Sequence, residues 1–150
     1  MCNKCPQYTI HGHHHHFGWD NSFVPAMTVA PGATIEFKCH DSSAGQLTKK
    51  STVKDVETLD FSKINPVSGP IYVDGAEPGD ALKITIEGFA PSGFGWTANI
   101  PGFGLLADQF TDPALAIWNY DANTLAPALF GKNGQVPLKP FAGTIGCAMA

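Results

Sequence analysis

The sequence predicts an all-β sandwich or barrel with at most one short helix, and three observations carry that reading. Glycine (16) and proline (12) are both abundant in 150 residues, a composition that favours many turns between short strands over long helices. Two segments alternate apolar and polar residues with a period of two, the mark of a strand with one face on a core and the other in water. Each is introduced by a Pro-Gly pair, Pro31-Gly32 and Pro78-Gly79. Proline presets φ at the second position of a type II turn, and glycine supplies the positive φ at the third.

The first alternating segment, residues 34–40, puts Ile35, Phe37 and Cys39 on one face and Glu36, Lys38 and His40 on the other. The second, residues 81–87, puts Leu82, Ile84 and Ile86 inward and Lys83, Thr85 and Glu87 outward. One polar face on each predicts antiparallel pairing. Between them, residues 42–70 are polar and hold one predicted helix, capped by Ser51 or Thr52, with Val53, Val56 and Leu59 along one side. A connection of that length often carries function. A glycine- and aromatic-rich stretch follows over residues 89–110, and further strands are predicted over 115–120 and 144–147. The length suits one domain, and no change of composition marks a linker.

Composition excludes several classes. Hydrophobic residues make up 43 % and charged residues 15 %, which is globular rather than disordered. Nine lysines, no arginine and thirteen acids give a net charge of −4. Nucleic acid is therefore not an expected partner, because phosphate neutralisation needs clustered Lys/Arg and base readout leans on arginine. No apolar run approaches the roughly 20 residues that span a bilayer, so no membrane partner is expected. The opening Met-Cys-Asn-Lys-Cys-Pro lacks the apolar core of a secretory signal. Cys2, Cys5, Cys39 and Cys147 are accordingly expected as reduced thiols in a cytoplasmic protein. Cys2 and Cys5 have the spacing of half a zinc knuckle, but no second pair follows, and two ordinary thiols is the plainer reading.

The histidine run dominates the chemistry: His11, then His13 to His16, followed by Phe17-Gly18-Trp19-Asp20. Neutral imidazole is the commonest transition-metal ligand, and in a strand His14 and His16 would share a face, with Asp20 near enough to add a carboxylate. A structural histidine cluster and an appended affinity tag are the competing readings. Gly93-Phe94-Gly95 and Gly102-Phe103-Gly104 mimic the start of a dinucleotide fingerprint, but no helix-forming run follows either, so that reading is rejected. A glycine-bracketed aromatic loop can line an apolar pocket, or simply plug a core. Glu36 and His40 share the polar face of one strand with Asp41 at its end, and Gln46 in the next loop could hydrogen-bond a carbonyl. A solvated strand face is the bland alternative.

The sequence resembles the acetamidase/formamidase family. The resemblance rests on His13-His14-His15-His16-Phe17-Gly18-Trp19-Asp20-Asn21, on Asp41 with Gln46-Leu47, and on Asn65-Pro66-Val67-Ser68-Gly69-Pro70. It continues through Gly75-Ala76-Glu77-Pro78-Gly79-Asp80, Pro101-Gly102-Phe103-Gly104 and Pro140-Phe141-Ala142-Gly143-Thr144-Ile145-Gly146. It implies hydrolysis of small linear amides such as formamide or acetamide to carboxylate and ammonia, on an antiparallel, jelly-roll-like β-sandwich. It also implies that the histidines are native, and that the chain corresponds to the N-terminal portion of a longer enzyme.

On that footing the expected chemistry is metal-assisted. A divalent ion, zinc by the chemistry of its donors, would be held by His14, His16 and Asp20 and would activate a water. Asp41 or Glu36 would act as general base and then protonate the departing ammonia. Gln46 and Asn65 would hydrogen-bond the amide or its developing oxyanion, and Trp19, Phe94 and Trp96 would wall the pocket. The alternative is a non-catalytic β-sandwich that binds a small ligand, or an incomplete subunit. Expected associations are a small amide substrate and either a second copy of the chain or a complementary C-terminal half.

Overall fold

A computed structural model describes residues 5–149. Ten short strands, one five-residue α-helix and one 3-10 turn make up the regular structure among them. In chain order these are β1 (Tyr8–Ile10), β2 (His15–His16), β3 (Met27–Val29), β4 (Ile35–Phe37), α1 (Val53–Glu57) and a 3-10 turn (Phe61–Lys63). Then come β5 (Val67–Ser68), β6 (Ile71–Val73), β7 (Phe94–Asn99), β8 (Ala114–Asn119), β9 (Ala128–Phe130) and β10 (Gly134–Val136). The β-rich character with one short helix is as the sequence predicts. The chain divides into two compact units.

The first unit runs to Ser42, takes up again over Lys63–Gly88 and resumes at Gly143. It is built from three two-stranded ladders, β1–β4, β2–β5 and β3–β6. The β1–β4 ladder pairs Tyr8 with Ile35 and Ile10 with Phe37. Past its ends, the Gln7 N–H donates to the Thr34 carbonyl and the Lys38 N–H to the Ile10 carbonyl. Ile10 and Val29, β-branched residues on β1 and β3, are the buried apolar residues of this unit. Both Pro-Gly turns form: the Ala33 N–H donates to the Ala30 carbonyl with Gly32 at φ +84°, and the Asp80 N–H donates to the Glu77 carbonyl with Gly79 at φ +104°.

Two of these ladders, β1–β4 and β3–β6, are parallel, which corrects the expectation of antiparallel pairing throughout. Alternation fixes which side of a strand is apolar, whereas the direction of the partner is set by how the chain returns to it. Here the connection from β1 to β4 carries β2 and β3 within it. That makes it a crossover instead of a hairpin.

The second alternating segment is also corrected. Residues 81–87 form no strand, and Leu82, Ile84 and Ile86 stand about half exposed at 47, 58 and 52 %. A strand needs a partner for its backbone groups as well as a pattern; among the described residues this segment has none. The strand predicted over residues 144–147 is absent for the same reason. Of the first alternating segment only Ile35–Phe37 pairs, and Cys39 and His40 leave the ladder exposed.

The second unit comprises Ser43–Ser62 and Phe89–Ala142. β7 and β8 form its longest ladder, antiparallel, pairing Phe94 with Asn119 and Trp96 with Ile117. The predicted helix is present as α1. The Asp55 carboxylate accepts from the Thr52 N–H at 2.6 Å and from the Thr52 hydroxyl at 3.0 Å, holding the helix entry. α1 lies against β8, and Val56 is 1 % exposed together with Leu47. The Ser43 hydroxyl, fully buried, accepts from the Leu47 N–H at 3.0 Å. Trp118 of β8 stacks on Phe130 of β9 with ring centroids 5.3 Å apart.

No helix among the described residues is long and apolar enough to cross a membrane. Cys5, Cys39 and Cys147 are free and exposed, while Cys2 lies outside the described residues.

Candidate active site

The first unit gathers three blocks that are far apart in sequence. The β2–β5 ladder sets His15 opposite Ser68 and His16 opposite Val67, and the Gly69 N–H donates to the His14 carbonyl at 3.0 Å. The histidine run is thereby tied to the Asn65–Pro70 block. In turn, the Asn65 N–H donates to the Ser42 carbonyl at 2.7 Å, which carries that block to the chain at Asp41. Asn65 has φ +53°, a left-handed conformation that asparagine tolerates better than most residues. Its side-chain amide has no hydrogen-bond partner among the described residues. Asp41, half-buried and with a partner of its own, sits one residue from this junction.

The histidines are oriented by main-chain carbonyls. His15 Nδ1 and His40 Nε2 each lie 2.8 Å from the Gly12 carbonyl oxygen, and the two rings meet edge to face with centroids 5.0 Å apart. A carbonyl only accepts, so both nitrogens carry a proton; in the neutral rings the lone pairs are on His15 Nε2 and His40 Nδ1. His16 Nδ1 likewise donates to the Gly18 carbonyl at 2.9 Å, which leaves Nε2 its lone pair. Holding one ring nitrogen on a carbonyl is how proteins fix the tautomer of a working imidazole. His15 and His40 were not assigned site roles by the sequence reading. The Gly12 that unites them is twenty-eight residues from His40 and carries no local signal.

His14 and His16 do not share a strand face. A turn closes from the His14 N–H to the His11 carbonyl at 2.9 Å, so β2 begins only at His15. The His14 ring lies on His13, with centroids 4.1 Å apart, and the His16 ring on Phe23, at 4.7 Å. Asp20 accepts from the Ser22 N–H at 2.7 Å; hydrogen bonds from the Ser22 side chain and then its backbone hold its carboxyl below the usual range. Among the described residues no three His, Cys, Asp or Glu side chains converge as a metal-binding group. His14, His16 and Asp20 therefore do not form a ready cage in this arrangement.

The remaining candidates divide between the units. Glu36 is held by Lys38 at 2.6 Å and accepts from the Thr9 hydroxyl at 3.5 Å. The Lys38 hydrogen bond is the main cause of its lowered pKa. Trp19, half-buried, lies against the chain at Gly146. Gln46, Phe94 and Trp96 belong to the second unit. Gln46 spends both ends of its amide on one residue: Nε2 donates to the Asp60 carbonyl at 3.2 Å and Oε1 accepts from the Asp60 N–H at 2.8 Å. Phe94 and Trp96 alternate with Gly95 and so share a face of β7, both half-buried. A cavity of about 220 Å³ in the same unit is lined by Asn99, Gln109, Phe110, Thr111, Asp112 and Ala114, none of them expected from the sequence.

Comparison with known proteins decides the family. The model of the Acetamidase/Formamidase family matches residues 5–150. The chain belongs to that family. It is 33 % identical over 118 residues to an acetamidase of Mycolicibacterium smegmatis, covering 70 % of this chain and 29 % of that protein. It is 29 % identical over 143 residues to a formamidase of Methylophilus methylotrophus, covering 88 % and 34 %. Among solved structures, a predicted acetamidase/formamidase from Thermoanaerobacter tengcongensis matches with a TM-score of 0.78 at 25 % identity, over 88 % of this chain and 42 % of that one. The chain thus spans about a third of the length of these curated relatives. Family membership accounts for the histidine run and the Asn65–Pro70 block as native parts of one fold, which removes the affinity-tag reading.

Proposed function

We propose that this chain supplies part of the active site of an amide hydrolase that converts small linear amides, formamide or acetamide, to carboxylate and ammonia. The observation that carries the reading is membership of the Acetamidase/Formamidase family across residues 5–150. The junction of Asp41, Asn65 and the histidine run in one unit supports it. In this reading Asp41 is the general base that deprotonates the attacking water and returns the proton to the leaving nitrogen. Glu36 is the lesser candidate for that role, because its carboxylate is already engaged by Lys38 at 2.6 Å and by the Thr9 hydroxyl. The Asn65 side-chain amide donates to the substrate carbonyl as negative charge develops there. Gln46 serves the loop instead, since both ends of its amide are bound to Asp60. Trp19, in the unit that holds Asp41 and Asn65, supplies apolar surface that would exclude water from a small substrate, and Phe94 and Trp96 are the aromatic candidates of the second unit.

A divalent ion, zinc by donor chemistry, belongs to the proposal with His14, His16 and Asp20 as its named donors. Because those three do not converge, no step is derived through it. The same reading takes in a jelly-roll-like sandwich of mixed pairing, and a complementary C-terminal portion as the partner that completes the site. A cytoplasmic setting goes with the three free, exposed thiols.

The test is ammonia release from formamide and acetamide by the purified chain, alone and with the C-terminal portion of a family member supplied as a second polypeptide. It is run with zinc and with a chelator. Turnover in either setting that Asp41→Asn abolishes supports the reading. Absence of turnover in both settings, from protein with an intact fold, overturns it. Activity that survives removal of all metal, shown by elemental analysis, overturns the zinc component alone.

A further inference from the structure

The parallel β1–β4 ladder ends in a substitution. Its last backbone rung is the Lys38 N–H on the Ile10 carbonyl at 2.9 Å. In a parallel pair the same bond recurs two residues further along both strands, so the next rung would run from the His40 N–H to the Gly12 carbonyl. The acceptor is the one that register requires, but the donor is a side chain: His40 Nε2 lies 2.8 Å from the Gly12 oxygen. An imidazole thus stands between the His40 backbone and the strand it would have paired with. The chain departs from β4 at that point, and Asp41 is the next residue.

The Gly12 carbonyl has two lone pairs, and His15 Nδ1 lies at the same oxygen, also at 2.8 Å. One atom therefore joins the first residue of β2 to the chain at Asp41. The other side of the junction is closed by backbone, through the Asn65 N–H on the Ser42 carbonyl at 2.7 Å and the Gly69 N–H on the His14 carbonyl at 3.0 Å. These bonds make a closed circuit around Asp41 and Asn65, with every link in the first unit. The link from the histidine run to Asp41 is made by an imidazole where the others are made by main chain.

We propose that His40 is a positioning residue of the candidate active site: by taking the next rung of the ladder with its ring, it sets where Asp41 leaves β4 and holds the Asp41–Asn65 junction against the histidine run. The role rests on the amidase reading of Asp41, whereas the tether itself can be read without turnover.

Two variants of the full chain test it. His40→Leu removes the donor, and His40→Gln offers an amide N–H at similar reach. Hydrogen exchange at the Asn65 amide reports the junction directly. Its protection is expected to fall about ten-fold in His40→Leu and to return in His40→Gln, while protection of the Leu47 amide in the second unit stays at the parent level in both. In the ammonia-release assay, kcat of His40→Leu is expected to fall about ten-fold or more with KM held within about two-fold, and His40→Gln is expected to recover most of kcat. Unchanged Asn65 protection in His40→Leu overturns the tether, and so does a loss that His40→Gln fails to restore or that extends equally to Leu47. Unchanged kcat in a His40→Leu variant with a loosened junction overturns the positioning role. A parent that shows the tether by exchange yet releases no ammonia overturns the amidase reading instead, and the positioning role with it.

Discussion

His15 and His40 share one hydrogen-bond acceptor: both rings reach the Gly12 carbonyl at 2.8 Å. That convergence depends on Gly12 having no side chain. A Cβ there would stand 3.2 Å from His40 Nε2 and 3.4 Å from the Lys38 carbonyl, so Gly12→Ala pushes His40 away while leaving the acceptor in place. The expected cost is about 1 kcal/mol in urea denaturation. His40→Ala should cost a similar amount, and the double variant little more than either single one. Full additivity of the two substitutions would show that Gly12 and His40 do not act through this contact.

Acid should weaken the fold through a common cause. Asp20, Glu36, Asp55 and Asp121 all have carboxyl pKa values below the ordinary range, lowered chiefly by hydrogen bonds from Ser22, Lys38, Thr52 and Asn123 respectively. A depressed folded value means the unfolded chain binds protons first as pH falls. Their stabilising contribution is therefore complete above the ordinary carboxylate range and is lost as pH drops through the folded values. The midpoint of urea unfolding should fall steadily below that range, and Asp55→Asn should flatten part of the slope. A midpoint independent of pH down through the folded carboxylate values would contradict these pairings.

The parts of this fold that were legible in the sequence are those set by local chemistry. The Pro31-Gly32 turn needs a positive φ at Gly32 and has it. Thr52 stands at the helix entry three residues before the carboxylate that accepts its N–H, and the strand near Leu115 forms as β8. What could not be read depends on a partner elsewhere. Ala81–Glu87 alternates as cleanly as Ile35–Phe37, yet only the latter meets a strand, β1. At the candidate site, the blocks at His15, Asp41 and Asn65 were legible as residue types. Their junction through the Ser42 carbonyl and the placing of His14 outside β2 follow from long-range backbone bonds that periodicity does not encode.

Gln46 offers a test that separates a loop role from a substrate role. Its amide replaces a backbone pair for Asp60 by donating at one end and accepting at the other. Gln46→Glu keeps the acceptor and sets a carboxylate against the Asp60 carbonyl. The ionised form is disfavoured there, so the folded pKa of the new side chain rises above its unfolded value. The variant should be least stable at neutral pH, by about 1–3 kcal/mol, and should regain stability relative to the parent as pH falls and the acid donates again. A variant matching the parent at every pH would mean that the Asp60 contacts contribute nothing.

The Trp19 ring occupies the space that a side chain at Gly146 would need, so glycine is what permits their approach. A Cβ on Gly146 would come within 3.2 Å of the indole Cζ3 and 3.4 Å of Cη2. The segment is held nearby by the Asn21 N–H, which donates to the Met149 carbonyl at 3.0 Å. Gly146→Ala therefore forces either the indole or residues 143–149 to move, and both routes expose more of a ring that is now half-buried. Tryptophan emission should shift to longer wavelength and become more accessible to a soluble quencher. Trp19→Phe provides the control, because it removes the reporting ring and leaves Trp96 and Trp118 as the remaining emitters. If Gly146→Ala alters emission equally in the Trp19→Phe background, the change arises at the other tryptophans and the contact does not govern Trp19. If the change disappears with Trp19, the segment at Gly146 is the cover of that ring, and substitutions there become a direct means of opening the aromatic wall proposed for the substrate.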